Sequence, residues 1–354
     1  MGTRIFQHRN RNLWALRALL GSTFAFIGCH LNSAAGATWL THSVDIGGVP
    51  VALRVDAKRE RIYLSVPGSN RVFFVDLHTL EVQRQVYVGF HPTGMDLSHD
   101  GDTLYTALNQ AGAIGVYDLT TDVGYEFDIS LPLGDSRTYD VAEVSPGIVF
   151  ASASPCGGGF AYVVRADIHA ATATRVADQN IIRCSPAFAV DPVGASLFVS
   201  NYEFPSIQAF DTSQVSAPVS SYLQPGTGPS IHAGLGLAIN PTGDRLSFTD
   251  GTVIQTQNYS SVGDIHAGPS VFSADGSYLV SAFGAMPVII YRHNAMNLAA
   301  VDEIESTCDP FNGSEMPTAI RNLPGQVGWA FISGSWLCTL QLIPDGIFLD
   351  SFDH

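Results

Sequence analysis

The chain has 354 residues, of which 46% are hydrophobic and only 14% are charged, and it contains 34 glycines and 19 prolines. This composition predicts a β-rich, turn-rich protein with enough residues to bury a large core. The formal net charge of −15 argues against nucleic-acid binding, because an acidic surface repels phosphate groups.

Residues 1–37 have the pattern of an export signal. Four arginines flank and precede a short apolar segment at residues 18–28, and the small residues at 35–37 form a cleavage site. A second interpretation stays open, because FIGC at residues 26–29 resembles a bacterial lipobox, which would make Cys29 a lipidated N-terminus. In both cases we expect a periplasmic, extracellular or outer-membrane-attached protein, with no membrane contact beyond a lipid anchor at Cys29. Loss of residues 1–37 removes four arginines and no acid, which moves the net charge from −15 to −19.

The remainder of the chain contains a repeated strand–turn–strand pattern. Seven units of this kind begin at Pro50, Pro92, Thr138, Ser185, Gly234, Pro269 and Pro317. Their second strands carry matched positions 33 to 51 residues apart, at Tyr63, Tyr105, Phe150, Phe198, Ser247, Val280 and Phe331. Most units continue with a third strand and a weaker fourth one. Units of about 40–50 residues with four strands each predict an all-β, seven-bladed β-propeller.

The two ends of the repeat predict how the ring closes. The seventh unit has no fourth strand after residues 336–343, while the segment that begins at Thr38 is a strand with no place in unit one. We expect this N-terminal strand to complete the last blade, so that residues 38–343 form a single domain without a free sheet edge. The tail at residues 344–354 ends in DGIFLDSFDH (residues 345–354), which resembles short endings of some secreted gammaproteobacterial proteins. A surface-sorting tag and a frayed acidic terminus are both open interpretations of this tail.

Units one and two, at residues 47–79 and 88–121, carry a more specific pattern. A glycine and a proline precede the first strand, IY or LY lies in the second strand, and V-x-D closes the third. The pattern resembles the YVTN-type propeller repeat, whose relatives include cell-surface and periplasmic binding proteins and lactonase-type hydrolases. The resemblance implies a seven-bladed propeller, but no motif places a lactonase catalytic residue at a position of this chain.

Four cysteines lie beyond the export signal: Cys156, Cys184, Cys308 and Cys338. An even number in an exported chain predicts two disulfides, and the absence of C-x-x-C spacing argues against a zinc site. Three pairings are open. We favour Cys156 with Cys184 and Cys308 with Cys338, because propeller geometry would place both pairs on the face around the channel mouth.

The candidate ligand-binding residues are expected on the same face. His91, His232 and His266 each precede a first strand, and Arg137 and Tyr139 begin unit three. A three-histidine metal site is one interpretation, but we favour polar loop histidines and predict no metal and no cofactor. Arg137 with Tyr139 would suit an anionic or sugar ligand. His91 and His266 lie at the same sequence distance from the turn glycine of their units. His232 is one residue out of this register.

No standard catalytic signature occurs in the chain, such as G-x-S-x-G, H-E-x-x-H or a P-loop. The sequence therefore favours a monomeric binding protein that takes an unknown protein or small-molecule ligand on a disulfide-braced channel-mouth face. The alternative is a lactonase-like propeller hydrolase or lyase with its site at the channel mouth, and a third hypothesis is a lipoprotein scaffold. Whether the protein is an enzyme stays open on the sequence.

Overall fold

Regular structure in this protein is almost entirely β-strand. The computed structural model describes residues 28–34, 37–129, 137–154, 161–176, 182, 186–200, 206–223, 236–285, 287–306, 308, 315–325 and 328–343. Within these ranges the one helical element is a single 3₁₀ turn at Pro67–Ser69. No helix in the described part of the chain is long and apolar enough to cross a membrane.

The strands are numbered in chain order, and consecutive strands form antiparallel blades. Two strands precede the first blade: β1 (Gly28–Ala34) and β2 (Ala37–Asp45). Blade one comprises β3 (Ala52–Asp56), β4 (Arg61–Val66), β5 (Arg71–Asp76) and β6 (Val82–Tyr87). Blade two comprises β7 (Pro92–Leu97), β8 (Thr103–Leu108), β9 (Ala113–Asp118) and β10 (Val123–Asp128). Blade three comprises β11 (Arg137–Ser145), β12 (Ile148–Ser154), β13 (Tyr162–Asp167) and β14 (Thr172–Arg175).

The second half of the ring repeats the arrangement. Blade four comprises β15 (Phe188–Val190), β16 (Ser196–Ser200), β17 (Ile207–Asp211) and β18 (Val219–Leu223). Blade five comprises β19 (Leu237–Ile239), β20 (Arg245–Phe248), β21 (Thr252–Gln255) and β22 (Ser261–Asp264). Blade six comprises β23 (Ser270–Phe272), β24 (Tyr278–Phe283), β25 (Val288–Asn294) and β26 (Ala300–Ser306). Blade seven contains β27 (Pro317–Asn322), β28 (Gly328–Ser333) and β29 (Trp336–Ile343).

The first strands of the seven blades form the inner ring. Contacts run from β3 to β7, β11, β15, β19, β23 and β27, and from β27 back to β3. The first strands therefore surround a central channel, and the predicted seven-bladed β-propeller is confirmed. The seven positions matched in the sequence all lie in second strands, β4, β8, β12, β16, β20, β24 and β28.

Ring closure follows the expected pattern. Strand β2 pairs antiparallel with β29, from Thr38 opposite Ile343 to Asp45 opposite Trp336. The N-terminal strand thus completes the last blade, as predicted. Strand β1 adds a fifth strand outside β2, with Gly28 opposite Ser43. Since β1 lies within the predicted export signal, cleavage before Thr38 would leave β2 as the outer strand.

The hydrophobic core lies between blades rather than in one central mass. Seven buried clusters are present in the described residues, and each joins two neighbouring blades around the ring. Aromatic side chains fill these layers, with Tyr63, Phe150 and Phe331 almost fully buried. Because each sheet packs both faces against neighbours, its inner strands carry apolar residues on both sides, and burial of this surface drives ring assembly.

Candidate functional site

A cavity of about 320 Å³ opens at the end of the channel where the first strands begin. All seven blades contribute to its wall. Small side chains leave the space open where the strands converge, namely Ala52, Gly94, Ala187, Gly236, Ser270 and Ala319. The polar or charged residues that also line it are Arg54, His91, Thr93, Tyr139, Asp140, Thr318 and Arg321. The cavity is therefore concave, mainly uncharged, and equipped with a few converging polar groups.

Arg54 enters the cavity from β3. Its Nε lies 3.4 Å from Oδ1 of Asp96, and its Nη1 donates a hydrogen bond to the carbonyl oxygen of Leu53 at 3.1 Å. The other carboxylate oxygen of Asp96 accepts the backbone N–H of Glu143 at 3.0 Å. Asp96 thus pairs with Arg54 and also ties β7 to β11.

Asp140 makes the equivalent tie one blade further on. Its Oδ2 accepts the backbone N–H of Phe188 in β15 at 2.9 Å, and its Oδ1 accepts the N–H of Val141 at 3.0 Å. Burial raises the pKa of the Asp140 carboxyl to about 6, although the charge of Arg54 and the two backbone donors act in the opposite direction. Asp140 is therefore a carboxyl group that titrates close to neutral pH inside the cavity.

Gly94 permits this position of Asp140. A Cβ atom on Gly94 would lie 2.2 Å from Oδ1 of Asp140 and 2.8 Å from the carbonyl oxygen of Tyr139. Such distances are far below van der Waals contact, so β7 and β11 approach this closely only because the residue is glycine.

Arg321 enters the cavity from β27, the first strand of the neighbouring blade seven. Its Nη1 donates a hydrogen bond to the carbonyl oxygen of Ile320 at 2.7 Å. No carboxylate in the described part of the chain forms an ion pair with it. Burial, followed by repulsion from Arg54, lowers the pKa of the Arg321 guanidinium to about 9 against the attraction of Asp140 and Asp96. Arg321 therefore has no ion-pair partner among the described residues, although the charges of Asp140 and Asp96 act on it.

Exposed apolar side chains lie on the face of the propeller where the cavity opens, and Val51 is also part of the cavity lining. Val51 is 42% exposed and Phe90 is 52% exposed, and both precede a first strand. Phe90 packs edge-to-face against the exposed ring of Tyr87, with centroids 6.1 Å apart. Further exposed residues on the same face are Val49, Phe283 and Met316. We call these six residues the apolar rim.

Two of the predicted ligand-binding residues line the cavity. His91 and Tyr139 both contribute to the wall, and His91 adopts a left-handed backbone conformation with φ of 53°. The backbone of His91 is held by Oδ1 of Asn70, which accepts its N–H at 2.8 Å. Arg137 is exposed and lies outside the lining, while His232 falls in a segment, 231–235, outside the described residues.

His266 occupies a different environment from His91. Its ring stacks on Tyr291 with centroids 3.5 Å apart, and its Nδ1 lies 3.4 Å from Nε2 of His293. It does not line the cavity. The preceding Ile265 N–H donates to the carbonyl oxygen of Gly251, which holds this connection against blade five. The match between His91 and His266 in sequence register therefore does not bring the two side chains together.

The expected disulfide between Cys308 and Cys338 is present, with a Cα–Cα distance of 5.9 Å. Both cysteines are fully buried. The bond joins the connection that follows β26 to β29, and thereby links blades six and seven near the mouth. Cys156 and Cys184 lie outside the described residues. Among the described residues, no three His, Cys, Asp or Glu side chains are grouped to hold a metal ion.

Sequence patterns alone did not single out Arg54, Asp140 or Arg321. A signal was present, since A-L-R at residues 52–54 and A-I-R at residues 319–321 place an arginine in otherwise apolar first strands. The middle residues, Leu53 and Ile320, are fully buried in the core, so the alternation of a strand turns each arginine towards the channel.

Comparisons with known proteins address the fold. The β-propeller domain of Cps50 (Swd1) from Myceliophteria thermophila matches 90% of this chain and 100% of that one, with a TM-score of 0.63 and 13% identity. No protein-family model matches the chain, and the curated proteins contain no match. Architecture and comparison agree that this chain is a seven-bladed β-propeller, whereas the YVTN-type resemblance stays an inference from its repeat pattern.

Proposed function

We propose that this protein is an exported or envelope-attached β-propeller that binds a ligand or partner at the channel mouth. The observation that carries the proposal is the channel cavity, which combines small wall residues with the converging side chains of Arg54, Asp140 and Arg321. Ligand sites are usually concave and mostly apolar, with few polar groups that fix orientation. Titratable groups with shifted pKa values in a cavity are a further mark of such sites.

The apolar rim supports the same assignment. Exposed aromatic residues are unfavourable in water and are enriched where proteins contact partners, since they bury a large area at small entropic cost. Val51 belongs to the rim and also lines the cavity, so one bound molecule would contact both the rim and the polar interior. β-Propellers commonly bind protein partners, and a peptide segment or a small molecule would each fit this arrangement.

A substitution that fills the cavity with a large side chain tests the proposal. Ala52→Trp would fill the mouth, and Val193→Trp would add the same side chain to an exposed turn at the opposite end of the blades. Thermal-shift and calorimetric screening would use amino acids, sugars, small carboxylic acids and short peptides. We expect at least one compound to bind the wild type and Val193→Trp but not Ala52→Trp. Absence of any binder, or equal binding by all three proteins, would contradict a channel-mouth site.

A lactonase-like hydrolase is the second candidate, and one observation favours it. Asp140 is a buried carboxyl with a pKa of about 6 beside Arg54, which is an arrangement suited to general acid–base catalysis near neutral pH. The test is turnover of a panel of lactones by the wild type and by Asp140→Asn, with Arg71→Gln as a control on the exposed start of β5. Turnover that Asp140→Asn abolishes would establish an enzyme, and no turnover by the wild type would remove this candidate.

A further inference from the structure

Two guanidinium groups from neighbouring blades face one cavity. Arg54 belongs to β3 of blade one and Arg321 to β27 of blade seven, and these two strands contact each other in the inner ring. The two groups are close enough for the charge of Arg54 to lower the pKa of Arg321. Charged groups removed from water are stable only where nearby charges or hydrogen bonds compensate them.

The carboxylates nearby are already occupied by the scaffold. Asp140 accepts backbone N–H groups from Val141 and Phe188, and Asp96 accepts one from Glu143 while it pairs with Arg54. Removal of either acid from its backbone donors would break a tie between neighbouring first strands. The two acids are therefore fixed as structural links, and neither is within ion-pair distance of Arg321 in the described residues.

Most of the N–H donors of Arg321 have no partner among the residues that the structure describes. A guanidinium has five N–H donors. Arg321 directs one of them at Ile320, and Arg54 directs one at Asp96 and one at Leu53. The remaining donors form a fork-shaped set that matches the oxygens of a carboxylate or phosphate.

We propose that the channel cavity binds the oxyanion group of its ligand, a carboxylate or a phosphate, between Arg321 and Arg54. This inference rests on the proposed binding function and specifies the ligand chemistry. The cavity of about 320 Å³ accommodates a small anion or the anionic end of a larger molecule. The apolar rim would then contact the remainder of that molecule, through Val51, the rim residue that lines the cavity.

The test uses two probes, succinate and inorganic phosphate, titrated into the full chain by calorimetry. The variants are Arg321→Gln, Arg54→Gln and the double variant, with Arg71→Gln as the matched control because Arg71 is exposed and outside the cavity lining. Circular dichroism melting would confirm that each variant folds. Arg321→Lys keeps the charge without the fork, and it serves as a second variant if Arg321→Gln fails to fold.

We expect at least one probe to bind the wild type and Arg71→Gln alike. Arg321→Gln should weaken that binding by about tenfold or more, because the bound oxyanion loses one of the two guanidinium groups that pair with it. Arg321→Lys should lie between the two, since it retains only the charge. Preference for succinate would identify a carboxylate ligand, and preference for phosphate would identify a phosphorylated one.

Two results would overturn the inference. One is that neither probe binds the wild type, and the other is that binding persists in the double variant. If neutral compounds nevertheless bind in a manner blocked by Ala52→Trp, the proposed binding function stands and only the oxyanion assignment fails. If no compound of any kind is blocked by Ala52→Trp, the proposed function itself fails.

Discussion

At the scale of single residues, the missing side chain of Gly94 shapes the channel as much as the side chains that are present. Gly94 lets β7 lie against Asp140, and Asp140 then links β11 to β15 through the N–H of Phe188. Asp96 repeats the link between β7 and β11. Polar groups inside the channel therefore fix the spacing of the first strands.

Gly94→Ala is expected to lower the free energy of unfolding by about 1–3 kcal/mol, because the new methyl group would overlap Asp140 and the Tyr139 carbonyl. Guanidinium chloride unfolding would measure the change. Gly68→Ala is the control, since a Cβ there meets no atom within 4 Å. An equal loss of unfolding free energy in both variants would show that the close approach of β7 and β11 is not the cause of the destabilisation.

Sulfate binding in the cavity is expected to strengthen as the pH falls from about 7 to 5. The pKa of Asp140 is raised to about 6, so its carboxyl becomes neutral in this range and stops opposing an anion held near Arg54 and Arg321. His91 also lines this cavity, and Asp96 pairs with Arg54. Calorimetry at several pH values would follow the effect. Asp140→Asn should bind sulfate strongly at pH 7 already. If the pH dependence is instead retained in Asp140→Asn and lost in His91→Gln, the effect belongs to His91.

At the scale of elements, blade seven depends on strands contributed from both ends of the chain. Strand β2 pairs along its length with β29, and Trp39 in β2 stacks on Trp329 in β28 with centroids 5.4 Å apart. The Cys308–Cys338 bond acts in the same region, from the connection after β26 to β29. The last blade is therefore secured by pairing, aromatic packing and a covalent link.

Trp39→Ala is expected to destabilise the protein by about 3–5 kcal/mol, because Trp39 is 2% exposed and its removal leaves a cavity between blades six and seven. Chemical denaturation followed by fluorescence and circular dichroism would measure the loss. Tyr125→Ala removes an exposed aromatic residue from β10, another outer strand, and should change stability by less than about 0.5 kcal/mol. Similar losses in the two variants would argue against ring closure by β2.

Replacement of Cys308 and Cys338 by alanine is expected to lower stability by about 3–4 kcal/mol. The bond closes a loop with a sequence separation of 30, and its loss returns conformational entropy to the unfolded chain. Denaturation of the wild type with and without reductant would give the same difference, while the double variant should not respond to reductant unless Cys156 and Cys184 also pair. A double variant as stable as the oxidised wild type would contradict stabilisation by this disulfide.

At the scale of the whole molecule, the seven-bladed ring distributes its core over the interfaces between blades. Each cluster joins only neighbouring blades. Leu53 and Leu337 share one such cluster between blades one and seven, and Phe198 and Phe248 share another between blades four and five. The N-terminal segment is the part of this ring that cleavage at the predicted export-signal site would change, because β1 lies before that site.

Mass spectrometry of the protein purified from a bacterial expression host is expected to find a mature N-terminus at Thr38. Cleavage there would remove β1 and leave β2 at the edge of blade seven. An acylated Cys29 would instead support the lipobox interpretation and would keep most of β1 in the mature protein. An N-terminus at Met1 in an export-competent host would contradict both forms of export.

The sequence by itself determined the repeat, the number of blades and the closing strand, because these depend on local alternation and turn spacing along the chain. Asp100-Gly101 and Asp275-Gly276 mark turns through the positive φ of their glycines, and such signals are readable without tertiary contacts. The favoured pairing of Cys308 with Cys338 also followed from blade geometry. Only the tertiary structure decided the site. It separated His266 from His91, left Arg137 outside the cavity, and brought Arg54 and Arg321 into one cavity from neighbouring blades. The side chains that meet in a channel are set by blade packing rather than by neighbours in sequence.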